Sequence, residues 1–249
     1  MTTAVARLTM VEARLFVRDL AAIIMGLLFP ALLLLVLGMA MPDFRVPDDD
    51  LGGLRPVDIY LPVMLAMAIA TMGLSVLPGF LSTYRERGVL RRLATTPVRP
   101  ANLLTAQLAV QGVAAVTASA LAMVVGLALF GVEPPARPAS LLLALVLGIA
   151  AVFAVGLVIA AVAPTARAAN GIGMLVYFPM LFFAGVWTPG PVMPETLRRI
   201  SDFTPLGAAS QALQDAWAGD FPSLLHLMVL LAYLLAGSFL AARFFRWTS

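Results

Sequence analysis

The sequence predicts an all-α polytopic membrane protein with six transmembrane helices, an N-terminal amphipathic interfacial helix and short outer helices between spans five and six. Three observations lead there. Hydrophobic residues make up 61% of the 249 and charged residues only 12%, whereas soluble domains run near half apolar and a quarter charged. Six long stretches contain no Asp, Glu, Lys or Arg, and each exceeds the ~20 residues a helix needs to cross hydrocarbon. The arginines between those stretches are divided unevenly between the two sides.

Residues 4–19 hold no Pro or Gly and suit an amphipathic helix. Arg7, Arg14 and Arg18 share one face of it, while Val5, Leu8, Leu15 and Phe16 lie elsewhere, as in a helix resting among cytoplasmic headgroups. The plainer alternative is a solvated run-in whose charges only set topology. No cleavable signal peptide is expected, because the first apolar run is too long and follows an amphipathic segment. The spans are expected near residues 20–42, 59–82, 102–130, 140–162, 171–188 and 223–242. The third uncharged run is long enough to tilt or to project beyond the bilayer. Pro30, Pro62, Pro78 and Pro179 are candidate kinks. Pro194 and Pro205 can each open an outer helix within 194–217, with Thr204 as N-cap of the second. These helices either dip back toward the bilayer or pack as surface helices on the bundle. No internal repeat is visible, and residues 1–249 read as one transmembrane domain.

The loops set the orientation. The N-terminal segment, the 85–99 loop, Arg167 and the C-terminus form one side, with a net charge of +8; the other side carries −5, for a total of +3. The arginine-rich side is expected to be cytoplasmic and to hold both termini. The predicted location is a bacterial plasma (inner) membrane, with the Asp48-Asp49-Asp50 cluster outside.

Composition also excludes chemistry. All 16 basic residues are arginine, cysteine is absent and His226 is the only histidine. A Walker A loop needs its lysine, so the chain carries no such ATPase motif. Thiolate nucleophiles, disulfides and cysteine metal sites are excluded, and no metal site is expected. At this hydropathy the arginines point to a membrane face and not to nucleic acid. Apart from His226, read as an interfacial residue, the six runs hold no group titrating below about pH 10. That counts against an ion-coupled relay. Gly-x-Ser-x-Gly and His-Glu-x-x-His are absent, so no catalytic residues are assigned.

The segment 84–97 is the most informative. Val89, Leu90 and Leu93 form one helical face, and Arg85, Arg87, Arg91 and Arg92 fan around the other. Glu86 falls on the apolar face, where an unpaired carboxylate is costly to bury, as in a short helix built to fit a groove on another protein. The alternative is positive-inside charge with one stray acid. Pro97 and Pro100 mark a break before the third span.

The pattern Arg85-Glu86-Arg87-Gly88-x-Leu90-x-x-Leu93-x-x-Thr96-Pro97 resembles the loop signature of ABC-type-2 exporter permeases, the group that includes daunorubicin-resistance-type drug exporters and polysaccharide and lipid exporters. The likeness extends along the chain, through the amphipathic N-terminal helix, six spans and structured outer segment. It implies that 84–97 is a coupling helix docking on a separate ABC nucleotide-binding subunit. Arg85, Glu86 and Arg87 would contact that ATPase, Gly88 would allow close approach, and Leu90 and Leu93 would seat in its groove, with Arg91 and Pro97 in the same segment. It further implies two ATPase copies binding ATP and Mg, no cofactor in this chain, and a second copy or a homologous permease. The N-terminal helix would also touch the ATPase.

Spans two and five would line the shared path. Span two places Met64, Met67, Thr71 and Ser75 on one face, and span five offers Met174, Phe178 and Leu181 at helical spacing. Methionine and phenylalanine make an adaptable apolar surface suited to drugs or lipids; the alternative is ordinary packing. The function expected is efflux of a hydrophobic or amphipathic compound. Its rivals are a stand-alone secondary transporter and a non-transporting membrane scaffold.

Overall fold

The structure, a computed structural model, describes residues 2–89, 100–189 and 192–244. Every regular element among the described residues is a helix. The first, α1 (Thr2–Arg18), precedes α2 (Ala22–Ala40) and α3 (Pro56–Glu86). The long α4 (Pro100–Phe130), α5 (Pro138–Val162) and α6 (Ala166–Phe183) follow. Two short helices, α7 (Glu195–Asp202) and α8 (Pro205–Ala218), then lead to α9 (Leu224–Phe244). Six of these, α2 to α6 and α9, are long and apolar enough to cross a membrane. Proline occupies the first position of α3, α4, α5 and α8, where its missing N–H costs nothing and its φ is already helical.

Two of the four candidate kink prolines mark real departures from the α-helix. The π-helical turns Ala22–Leu28 and Thr71–Val76 lie just ahead of Pro30 and Pro78. A proline has no N–H to donate and its ring displaces the carbonyl four residues back; a widened π turn absorbs that mismatch. Four residues before Pro78 is Leu74, whose carbonyl lies against Gly173 of α6, where a Cβ would collide. Gly156 of α5 faces the carbonyl of Gly73 in the same way. Backbone thus meets backbone at the centre of the bundle, the close approach that small residues permit between apolar helices.

α3 is the post around which the rest is arranged. Leu61, Met64, Leu65, Ile69 and Leu74 are fully buried, with α2, α4, α5, α6 and α8 packed around them. α9 lies on α5, with Gly237 against Ala154. The outward faces of α2, α6 and α9 stay apolar and exposed, at Val36, Leu175 and Phe239 among others, as a surface covered by lipid or by another apolar helix requires.

Two boundaries differ from expectation. α3 continues through Tyr84 to Glu86, so the first residues of the expected coupling helix belong to the second span; no helix breaker intervenes before Gly88. α6 starts earlier than the predicted fifth span because Thr165 caps it, its Oγ1 accepting from Ala168 N–H at 3.0 Å. Thr204 Oγ1 accepts from Gly207 N–H at the start of α8, and Leu206, Ala209 and Leu213 of that helix are fully buried. α8 therefore packs into the bundle against α3, α5 and α9, and does not lie on its surface.

Candidate functional site

Two arrangements stand out, one at each level of α3. The first is at its C-terminal turn, where three consecutive residues reach three different partners. Tyr84 OH donates to Glu12 Oε2 of α1 at 2.6 Å, and Gln107 Nε2 of α4 donates to the same oxygen at 2.6 Å. Arg85 donates to the carbonyls of Ala160 and Ala161 at 3.2 and 3.4 Å, and to that of Ala163. Glu86 Oε1 accepts from Ala166 N–H at 2.8 Å.

Each partner suits its charge. The last carbonyls of a helix are unsatisfied and partly negative, and the first N–H groups are unsatisfied and partly positive. Arg85 meets the end of α5 and Glu86 the start of α6, so one turn of α3 caps the corner between two neighbours. Glu12 is the buried member, at 5% exposure, and Gln107 is buried with it. Burial pushes the Glu12 carboxyl above the usual carboxylate range, and the hydrogen bonds from Tyr84 and Gln107 oppose that rise. Loss of Glu12 strands the buried Gln107 amide and the half-buried Tyr84 hydroxyl, at ~1–3 kcal/mol for a buried group left unpaired and less for the other.

Arg85 and Glu86 are engaged within the chain, Arg85 at the end of α5 and the exposed Glu86 at the start of α6. Arg87 is exposed, and Gly88 ends the helix at φ +65°, a conformation that side-chain-bearing residues rarely adopt. Leu90, Arg91, Leu93 and Pro97 lie outside the described residues. Arg7, Arg14 and Arg18 all point outward from α1. Glu12 and Gln107 were missed. The signal for Glu12 was present, because it is one helical turn from Leu8, Leu15 and Phe16 and is the lone acid among them.

The second arrangement is a cavity of about 870 Å3 beside the middle of α3. α2 contributes Met25, Phe29 and Leu33, and α3 contributes Met67, Thr71 and Ser75. α6 contributes Met174, Phe178 and Leu181 opposite them. Within it Thr71 Oγ1 and Tyr177 OH pair at 2.9 Å, and Thr71 also donates to the Met67 carbonyl. At the end remote from Tyr84 the wall reaches Asp48, Asp50 and Trp187. Of the seven span residues singled out, Met64 does not line this space. It sits in the central hydrophobic cluster, because other helices pack on the remaining faces of α3 and a stripe along it does not distinguish cavity from core.

At the far end, His226 is buried between two carboxylates. Its Nε2 lies 3.2 Å from Asp202 of α7, and its Nδ1 lies 3.7 Å from Asp215 of α8. Gln211 Nε2 donates to the same Asp202 oxygen. Ser201 and Ser210 hydroxyls donate to the carbonyls of Phe183 and Ala184, closing the end of α6. His226 is thus part of the polar lacing that holds α7 and α8 to α9 and not a free interfacial side chain.

No curated protein matches the chain significantly. A family model described as ABC-2 type transporter matches residues 3–217, from α1 through α8. The match identifies the family as a whole and no subfamily within it. With six apolar helices around a buried second span and a match over most of its length, the chain belongs to the ABC-2 type transporter family and is a membrane permease of an ABC-type transporter.

Proposed function

We propose that the chain is the membrane-spanning subunit of an ATP-driven exporter that moves a hydrophobic or amphipathic compound, such as a drug, a lipid or a secondary metabolite, out across a bacterial plasma membrane. The observation that carries this reading is the cavity between α2, α3 and α6. Its volume suits a drug-sized ligand, and its wall is mainly methionine, aromatic and aliphatic, with the Thr71–Tyr177 hydroxyl pair at mid-depth and carboxylates only at the Asp48 end, away from the mid-membrane position of the charged relay an ion-coupled carrier uses. The Tyr84 end, with both termini, faces the cytoplasm on the arginine excess, and the Asp48 end faces out.

The chain lacks lysine, so hydrolysis belongs to a separate nucleotide-binding subunit, present in two copies and holding ATP and Mg. A second copy of this chain, or a homologous permease, completes the path. Arg87, Leu90, Arg91, Leu93 and Pro97 form the surface that meets the ATPase, with Arg85 and Glu86 holding the root of that segment in place.

Co-purification tests this. The purified chain alone hydrolyses no ATP, and it captures a Walker A subunit from membranes of its own cell. The double substitution Leu90→Asp and Leu93→Asp abolishes that capture and leaves the chain in the membrane. Hydrolysis by the chain alone, or capture undiminished by the double substitution, overturns the assignment.

A further inference from the structure

Tyr84, Arg85 and Glu86 lie in one helical turn, and successive helical residues point about 100° apart. Their partners accordingly lie on different sides of α3: Glu12 on α1 with Gln107 on α4, the last carbonyls of α5, and the first N–H of α6. Packing repeats the same geometry, with α1 lying along α4 and the end of α3 against α5 and α6. Of the four elements, α1 is the one that does not span, and few large side chains seat it. Phe16 is buried and Ala13 half-buried against the cluster that includes Phe80, Leu104 and Leu108, whereas Met10, Val11, Leu15 and Val17 are exposed. The Glu12 carboxylate is therefore the directional part of its attachment.

We propose that Glu12 is a positioning residue: with Tyr84 and Gln107 it ties α1 to the end of α3, so that any displacement of this turn reaches α1, α4, α5 and α6 together. The inference rests on the proposed function for its source of motion, but the tie itself does not. A hydrogen bond between charged and neutral buried groups is stronger and more directional than apolar contact, and it transmits rotation as well as translation, which an apolar seat allows to slip. Glu12 touches neither substrate nor nucleotide in this account; it acts through Tyr84.

The chain has no cysteine, so Ala13→Cys gives a single thiol beside the tie. In membranes, a water-soluble maleimide labels that thiol about tenfold faster in the Glu12→Leu background than in the parent. Glu12→Gln, which keeps an acceptor for Tyr84, restores the slow rate. Equal rates in all three overturn the tie. In vesicles with the ATPase, Glu12→Leu leaves co-purification and ATP hydrolysis at the parent level and lowers transport per ATP about tenfold, and Glu12→Gln recovers it. An unchanged ratio, or parallel loss of binding, hydrolysis and transport, overturns the positioning role. If the parent complex moves nothing on ATP, the proposed function fails, and the labelling rates still judge the tie.

Discussion

The last turn of α3 and the cavity beside its π turn are built from opposite materials. Toward Gly88, three consecutive residues make directional, partly charged hydrogen bonds to α1, α5 and α6, and Gln107 of α4 donates to the same Glu12 oxygen as Tyr84. Beside the turn itself, the cavity wall is apolar and mobile-chained, with a single hydroxyl pair between Thr71 and Tyr177. Hydrogen bonds hold angle as well as distance, which suits a part that must carry a motion without slipping. Methionine and phenylalanine adapt to many shapes, which suits a part that must accept variable apolar guests. Between the two, glycines let α5 and α6 touch the backbone of the π turn, so displacement at one level has a rigid route to the other.

Substitutions on either side should separate the two properties. The largest effect is expected from Arg85→Leu, which strips the end of α5 of its donor and leaves three carbonyls without it. At ~1–3 kcal/mol per group left unsatisfied, ATP-driven transport should fall at least about tenfold, with the order of preference among substrates unchanged. A reordered preference would show that the two regions are not distinct.

Next comes the cavity. Met174→Ala and Phe178→Ala remove exposed apolar lining from α6. The apparent KM for large substrates should rise several-fold, in line with ~1–3 kcal/mol for lost apolar contact in a pocket, while the transport obtained per ATP at saturation stays at the parent value. A drop in that ratio with unchanged KM would place these residues in the coupling path instead.

The smallest effect is a pH dependence confined to the polar side. Burial raises the Glu12 pKa above its unfolded value, so the folded state binds this proton more tightly than the unfolded one. The stabilisation is complete below the unfolded pKa and is lost as pH rises through the folded one. Thermal stability of the chain in detergent should therefore decline over that interval by a modest amount, and Glu12→Gln should flatten the profile. A slope that survives the substitution would assign the titration to another group.

How much was legible beforehand follows the same division. The spans could be read because hydrocarbon imposes length and apolarity residue by residue, and Pro205 with Thr204 marks a helix start by local chemistry alone. Pro30 and Pro78 announced a local disturbance, and the π turns are its form. The tie was hidden because it joins residues far apart in the chain: Glu12 to Tyr84 and Gln107. One helical wheel shows that Glu12 needs a partner but not which helix supplies it. The same limit misplaced Met64, since the side of α3 that faces a cavity depends on how far α2 and α6 stand from it. A wheel drawn on the 84–97 segment alone does not show the helix ends of α5 and α6 that stand beside Arg85 and Glu86.

The central claim is that ATP bound by a separate subunit drives an apolar guest through a path that this chain forms. It is tested most directly in sealed vesicles holding the chain with its nucleotide-binding subunit, by following a fluorescent amphiphile as ATP is added. The account predicts movement that requires ATP and the second subunit, is indifferent to a proton gradient, and drops about tenfold per ATP in Glu12→Leu. Movement driven by a proton gradient with the chain alone would contradict it.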